Sequence, residues 1–351
     1  MTETIKDGED WQAQAQKIAA EPTLSADLAR AQERGRGRNA NSPADIPSLG
    51  WKDIAVRVML SIPQNRLLTL SGGVAFFVIL SIFPGIAATV SLYGMFADVG
   101  TIIDHLRFLN GVLPADILDL IRGQIIGVAA KSNGTLSVAV ASALLISLWS
   151  ANSGVTAFFD ALNVVYGEKE KRSLLTVYAT TFATTVGTIA FIIFALFGIL
   201  VVPLIAAALG LNTTTDFALQ YLRWPILLVT VMIALSITYR IGPSRHDAKW
   251  RWVTPGSTAA ALAWVATSMA FSWYVAEFNS YNRLYGSLGA IVAFMTWCWI
   301  SIFVSLFGAA VDAETEHQTA RDSTLGPPKP LGARGATMAD HVGKSIEELG
   351  W

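Results

Sequence analysis

A row of polar side chains interrupts the second long apolar segment of the chain. The row begins at Trp149 and continues at intervals of 3, 1, 3, 4 and 3 residues with Asn152, Ser153, Thr156, Asp160 and Asn163. Residues at this spacing share one face of a helix. Amide and carboxylate groups on such a face could line a polar path through a membrane, or could bond neighbouring helices together. Both interpretations stay open for Asn152 and Asp160, whereas helix–helix bonding is favoured for the two hydroxyls.

Polar residues also bracket the last apolar segment and the end of the polar row. Aromatic and amide side chains before the segment predict a polar mouth, and two glycines suit a tight turn followed by close helix packing. Carboxylates after the segment are predicted to mark where the helix meets water, and catalysis is a weaker interpretation for them. The candidate residues outside the row itself are Tyr166, Tyr281, Asn282, Tyr285, Gly286, Gly289, Asp312 and Glu314.

The sequence lacks the residues that several kinds of transport and catalysis require. Apart from Arg223 near one end of the fourth, the long apolar segments contain no Asp, Glu, Lys, Arg or His. Proton-coupled carriers use such residues as a relay, so proton coupling is disfavoured. The four histidines form no pair at metal-binding spacing, and no P-loop or G-x-S-x-G motif occurs. We therefore expect no catalytic residue, no metal and no cofactor, and the net charge of −1 predicts no nucleic-acid partner.

The elements that carry these residues are predicted to be membrane helices. Of the 351 residues, 53% are hydrophobic and 15% are charged, whereas soluble domains carry about 25% charged residues. The predicted fold is all-α, a polytopic membrane helix bundle of six transmembrane helices within residues 67–316. Each apolar segment approaches the ~20 residues that a helical span needs, and the predicted spans are 67–97, 137–159, 174–206, 221–239, 253–276 and 287–311. Pro84 lies inside the first span, where we favour a kink over a broken helix.

The flanking segments are predicted to lie outside the membrane. Residues 1–48 read as a disordered cytoplasmic tail and residues 317–351 as a second cytoplasmic tail without a core. Residues 49–66 form an amphipathic helix, predicted to lie in the membrane interface with Asp53 and Arg57 on its polar side. A cytosolic helix packed on the bundle is the alternative. A further helix is predicted within the outer loop, at 114–130. Lysine and arginine in the connections 160–173 and 240–252 place both termini in the cytoplasm.

Five short motifs resemble one known family. They are G-G-V-A-F-F-V-I-L-S-I-F-P at 72–84, S-L-W-S-A-N-S-G at 147–154, D-A-L-N-V-V-Y-G-E at 160–168, Y-N-R-L-Y-G-S-L-G-A at 281–290 and L-F-G-A-A-V-D-A-E at 306–314. Together they resemble the YihY/BrkB family of bacterial inner-membrane proteins, also called ribonuclease BN-like. The resemblance implies six spans and cytoplasmic termini in the bacterial inner membrane. Ala310 stands where the family's G-A-E motif has its glutamate, and Asp312 or Glu314 is the candidate replacement.

The sequence supports three hypotheses for function. The first is transport or accommodation of a lipid or envelope precursor along the polar row, with membrane lipids as partners. The second is a ribonuclease BN-like enzyme that processes RNA, although the chain lacks metal-ligand spacing. The third is a membrane scaffold for envelope integrity that recruits partners through the outer helix. The sequence is also compatible with a homo-oligomer.

Overall fold

The structure is a computed structural model that describes residues 22–93, 122–123, 138–208, 213–278 and 289–351. Within these residues every regular element is a helix, and the one backbone pairing of β type is an isolated antiparallel bridge between Ala248 and Thr324. The prediction of an all-α fold is confirmed for this part of the chain.

Six long helices occupy the positions of the six predicted spans. They are α3 (Leu67–Tyr93), α4 (Val138–Val165), α5 (Leu174–Ala208), α6 (Thr213–Ile241), α7 (Thr254–Phe278) and α8 (Gly289–Glu316). Two stretches among the described residues, Leu174–Phe191 and Ile291–Glu316, are long and apolar enough to cross a membrane. The helices are therefore established at all six positions, while six crossings of the membrane remain a prediction.

Helix α3 passes through Pro84 without a break, because it continues from Leu67 to Tyr93. A proline inside a helix removes one backbone hydrogen bond, and membrane helices tolerate this loss. The alternative of a discontinuous first helix is therefore wrong.

Glycines allow the long helices to approach each other closely. A Cβ atom on Gly256 of α7 would lie 2.0 Å from the carbonyl oxygen of Gly308 on α8. A Cβ atom on Gly308 would lie 2.5 Å from the Cβ of Ala260. The α7–α8 contact is therefore formed by backbones in contact, since small residues let helices approach closely.

Helix α2 (Ser48–Gln64) packs on the bundle with its charged side inward. Asp53 and Arg57, predicted to lie on the polar side, are buried together with Ile54 and Val58. These four positions follow the three- and four-residue spacing of one helix face. The buried face therefore agrees with the alternative prediction, a helix that packs on the bundle. Outside this face, Leu49, Trp51 and Met59 are exposed.

The predicted disorder of the two tails does not hold for residues 22–48 or 317–351. Both segments fold over the end of the bundle where α4, α6 and α8 finish, and this polar end comprises residues 22–66, 163–173, 239–256 and 312–351. The tails include three short helices, α1 (Pro22–Ala31), α9 (Thr337–Asp340) and α10 (Ile346–Leu349). Residues 1–21 and most of the predicted outer helix 114–130 lie outside the described residues.

Candidate functional site

The polar row on α4 divides into an inward and an outward part. Asn152 and Asn163 are buried. Thr185 Oγ1 of α5 lies 3.3 Å from Asn152 Oδ1, and the backbone nitrogen of Ser244 donates to Asn163 Oδ1 at 2.7 Å. Both asparagines thus hold neighbouring elements against α4, which agrees with the interpretation of polar residues as links between helices.

Trp149 and Asp160 lie on the outer surface of α4. At 3.6 residues per turn, the six polar positions spread over about 100° of the helix circumference. The two asparagines lie at the buried edge of this arc, whereas the Trp149 side chain is 68% exposed and Asp160 is also exposed. Trp149 stacks on Tyr178 of α5, with ring centroids 6.2 Å apart. The row therefore faces two environments, and Asp160 is the carboxylate on the outward side.

The carboxylates at the end of α8 are buried, although they were predicted to mark a water-facing boundary. Asp312 Oδ1 accepts a hydrogen bond of 2.6 Å from the backbone nitrogen of Gly256, in the first turn of α7. Asp312 thus caps the start of another helix, where backbone N–H groups lack partners within the helix. Glu314 accepts from Arg57 Nε at 2.7 Å, and Glu316 forms an ion pair with Arg245. These contacts join α8 to α7, to α2 and to the α6–α7 connection.

Arg245 and Glu316 form the most enclosed ion pair of the polar end. Each side chain is 1% exposed, and Ser323 Oγ donates to Glu316 Oε1 at 2.5 Å. The guanidinium of Arg245 also lies 4.2 Å above the centre of the Tyr166 ring. Burial opposes the charged form of Arg245, but Glu316 and Tyr166 outweigh it and raise the pKa of the guanidinium. The arginine therefore stays charged inside the protein.

Four buried polar atoms around this pair have no hydrogen-bond partner within the described residues. They are the Tyr166 hydroxyl, Arg245 Nε and Nη2, and Asp312 Oδ2. Burial raises the pKa of Tyr166 well above its usual value, against the opposing effect of Arg245. Each buried group without a partner costs about 1–3 kcal/mol. The hydrogen bonding around the Arg245–Glu316 pair is therefore incomplete, and packing of the surrounding residues keeps the two side chains in place.

Buried arginines fasten the two tails to the bundle. Arg57 of α2 donates to the Gln318 side chain at 2.7 Å and to the Lys344 carbonyl at 2.9 Å. Asp53 accepts from Arg36 Nη1 at 2.8 Å and from the backbone nitrogen of Ile346 at 2.9 Å. Later in the chain, the guanidinium of Arg334 donates to four backbone carbonyls, those of Ala320, Arg321, Lys329 and Ala339. Paired charges of this kind can order polar segments that have little apolar core of their own.

The connection between α4 and α5 contributes a second charged group. Gly167 adopts a φ of +63° just after α4, a left-handed conformation that suits a glycine at the end of a helix. Glu170 then binds Arg172, whose Nε and Nη2 atoms donate to the carboxylate at 2.9 and 2.8 Å. Hydrogen bonding to Arg172 lowers the pKa of Glu170 from 4.5 to about 2. Arg172 also donates to the Gly242 carbonyl at 2.8 Å, so this connection is tied to the end of α6.

An open cavity of about 450 Å³ lies where these connections meet the first turns of α5. We call it the basic cavity, because its charged lining residues are Lys171, Arg172, Arg245, Lys329, Arg334 and the single carboxylate Asp247. Thr180 of α5 and Ile241 of α6 form the wall nearest the long helices. Leu174, Leu175 and Tyr178, on the same turns of α5, are exposed. The cavity therefore opens beside apolar helix surface.

A second cavity of about 610 Å³ lies between α1, α2 and the C-terminal segment. His317 Nδ1 is 3.3 Å from Glu314 Oε2, and His341 Nδ1 is 2.7 Å from Asp27 Oδ2. Across the ranges that the structure describes, no group of three or more His, Cys, Asp or Glu side chains is placed to hold a metal ion.

Four of the predicted site residues, Tyr281, Asn282, Tyr285 and Gly286, lie outside the described residues, and Gly289 is the first residue of α8. Conversely, Arg245 is recognisable as a site residue only in the structure, since in the sequence it is one of several charges in the connection 240–252. No local spacing signals its role, because its partner Glu316 follows 71 residues later.

Comparison with known proteins gives the family. The sequence model of the family described as Virulence factor BrkB matches residues 59–331. The chain belongs to the BrkB family. It is 28% identical to YfkH of Bacillus subtilis over 271 residues, and this match covers 75% of this chain and 93% of YfkH. The name of that protein describes it as ribonuclease-like. This confirms the resemblance drawn from the five motifs.

Other relatives of this BrkB-family chain carry the name UPF0761 membrane protein. The one from Vibrio atlanticus is 26% identical over 271 residues, covering 73% of this chain and 80% of the relative. The one from Rhodospirillum centenum is 23% identical over 315 residues, covering 88% of this chain and 67% of the relative. No solved structure matches the chain. The comparisons establish a membrane protein of the BrkB family.

Proposed function

We propose that this BrkB-family protein accommodates an amphiphile, a lipid or envelope precursor, and moves it across the bacterial inner membrane. The protein crosses the membrane six times in this proposal, and the polar end faces the cytoplasm. Lysine and arginine at 169–172 and 240–251 support that orientation, since basic connections stay on the cytoplasmic side. The observation that carries the proposal is the outward surface of α4 and α5, together with the cavity at its charged end.

The exposed side chains on this surface change along the helices from aliphatic to aromatic to charged. Leu145 and Ile146 of α4 are exposed first, the stack of Trp149 on Tyr178 follows, and exposed Asp160 comes last. From residue 146 to residue 160 a helix rises about 21 Å, at 1.5 Å per residue. That length exceeds half of the ~30 Å hydrocarbon core of a bilayer. The surface therefore extends over about the depth of one leaflet, with its apolar end at Leu145 and Ile146 and its charged end at Asp160.

The basic cavity distinguishes this surface from an ordinary membrane-facing one. An aliphatic, aromatic and charged order is common wherever a helix passes through a membrane interface. Here the charged end also provides an open space of about 450 Å³, within the ~300–1,000 Å³ range of small-molecule sites. A polar group could enter this space while its apolar chain stays beside α5.

Mass spectrometry of the purified full-length chain in mild detergent tests the proposal. We expect bound lipid at defined stoichiometry, and we expect Trp149→Ala to lower its occupancy because the exposed ring stack is lost. Trp273→Ala is the matched control, since this exposed tryptophan lies on α7. Absence of bound lipid, or equal occupancy in both variants, would contradict the proposed role of the surface.

A further inference from the structure

We infer that the basic cavity selects a phosphate-bearing anionic group, which in the proposed function is the headgroup of an anionic amphiphile. This inference rests on the proposed function, because the apolar part of such a ligand needs the surface of α4 and α5. The chemistry is set by which cations of the cavity are already occupied and which are available.

The guanidinium groups in the wall are largely occupied by protein. Arg172 holds Glu170 and the carbonyls of Ile241 and Gly242. The four bonds of Arg334 all go to backbone carbonyls of the C-terminal segment. Arg245 is turned inward to Glu316. These three arginines build the wall and contribute positive potential. The two Arg245 nitrogens without a partner are buried, so the three groups offer few accessible donors to a ligand.

The lysines remain available to a ligand. Among the described residues, the Lys329 ammonium has no ion pair or hydrogen bond, and the contacts of this residue are made by its backbone, whose nitrogen donates to Asp322 and whose carbonyl accepts from Arg334. Lys171 gives one bond to Glu168 while its side chain stays 58% exposed. An ammonium carries three donors, so at least two of the donors on Lys171 are free. Two lysines on opposite segments of one cavity can therefore hold the same anion.

The residues behind the wall favour a single anionic group over a large negative charge. Glu168, Glu170, Glu316 and Asp322 each lie against one of the lining cations. Asp247, the carboxylate of the lining, lies 3.6 Å from Arg240 outside the cavity, so Lys329 is the one lining cation without a carboxylate partner among the described residues. A phosphate diester carries one negative charge and several acceptor oxygens, which suits two ammonium donors. A zwitterionic headgroup would bring its own cation into this space, and its net electrostatic attraction to the two lysines would be weaker.

The C-terminal segment supplies one side of the site. Lys329 belongs to it, and the backbone nitrogen of His246 donates to the Gly335 carbonyl at 3.0 Å, which fixes the segment against the α6–α7 connection. The segment that was predicted to lack structure therefore takes part in recognition. A ligand would bridge it to Lys171, which lies three residues before the start of α5.

Titration calorimetry on the full-length chain in neutral detergent tests the inference. The probes are dihexanoyl phosphatidylglycerol, dihexanoyl phosphatidylcholine and inorganic phosphate. We expect phosphatidylglycerol to bind more tightly than phosphatidylcholine, and Lys329→Gln to weaken its binding about tenfold, as expected for the loss of one charge-assisted bond. Lys329→Arg should retain most of the affinity. Lys52→Gln, which removes an exposed charge on α2, should leave it unchanged.

The outcomes separate the inference from the proposed function. Equal binding of both lipids, or equal effects of Lys329→Gln and Lys52→Gln, would overturn the selectivity and leave amphiphile binding in place. Binding of neither lipid would overturn both. If inorganic phosphate alone bound, in a manner that depended on Lys329, the cavity would be a site for free phosphate, and the lipid source would be refuted.

Discussion

Removing one partner of the Arg245–Glu316 pair should destabilise the protein strongly. Glu316→Ala leaves the guanidinium 1% exposed, with the Tyr166 ring as its nearest compensation. Two of its nitrogen atoms already lack a partner among the described residues. The remaining charge would then be buried without a counter-charge, and this is the circumstance in which loss of an ion pair is most costly.

The expected size of the effect follows from burial. Breaking a buried pair on one side costs about 3–5 kcal/mol, whereas replacing both partners by apolar residues of similar volume is often close to neutral. Arg245→Met combined with Glu316→Leu should therefore cost less than Glu316→Ala alone. Asp247→Asn is the control, because it breaks a contact with Arg240 at 3.6 Å in which the carboxylate is 52% exposed, and a pair open to solvent contributes only about 0–1 kcal/mol.

The free energy of unfolding in detergent, followed by tryptophan fluorescence in a denaturant titration, measures these effects. The order of destabilisation should be Glu316→Ala, then the double variant, then Asp247→Asn. A double variant at least as unstable as the sum of its two single changes would refute the reasoning, because the single changes would then leave no uncompensated charge.

Three further predictions concern packing, the C-terminal segment and acid stability. Gly256→Ala should lower the free energy of unfolding by about 1–3 kcal/mol through overpacking, since its Cβ would meet a carbonyl at 2.0 Å, whereas Gly73→Ala, which meets open space, should not. Arg334→Ala should make the C-terminal segment more sensitive to limited proteolysis, and an unchanged cleavage rate would contradict its anchoring role. The lowered pKa of Glu170, about 2 against 4.5, stabilises the folded chain above pH 4.5, and this contribution is lost as pH falls through about 2. Glu170→Gln should therefore lose less stability than the unchanged protein on acidification over that range, and an equal loss would count against it.

Local pattern was enough to predict the long helices. Apolar runs of about 20 residues identify them, and Gly167 marks the end of α4 because a left-handed conformation favours glycine. The sides of a wide polar arc cannot be separated in the same way. Asn152 and Asp160 both belong to the polar row, and only the packing of α4 shows that one is buried and the other exposed.

The folded tails could not be predicted from composition. Residues 22–48 and 317–351 are polar, which is typical of segments that cannot bury enough apolar surface to fold alone. Their order arises from contacts far apart in the chain, such as the one between Arg38 Nη1 and the Gln318 carbonyl, 280 residues away. Arg36 and Arg38 of the first tail therefore lie in the protein interior. No periodicity within either segment reports this pairing.

Lipid movement in reconstituted vesicles tests the central claim most directly. The full-length chain is incorporated into vesicles that contain fluorescent phosphatidylglycerol, and a membrane-impermeant quencher reports the lipid that reaches the outer leaflet. The account predicts faster movement than in protein-free vesicles, with slower movement for Trp149→Ala and for Lys329→Gln. Movement no faster than in protein-free vesicles, with folded protein confirmed in the bilayer, would contradict it.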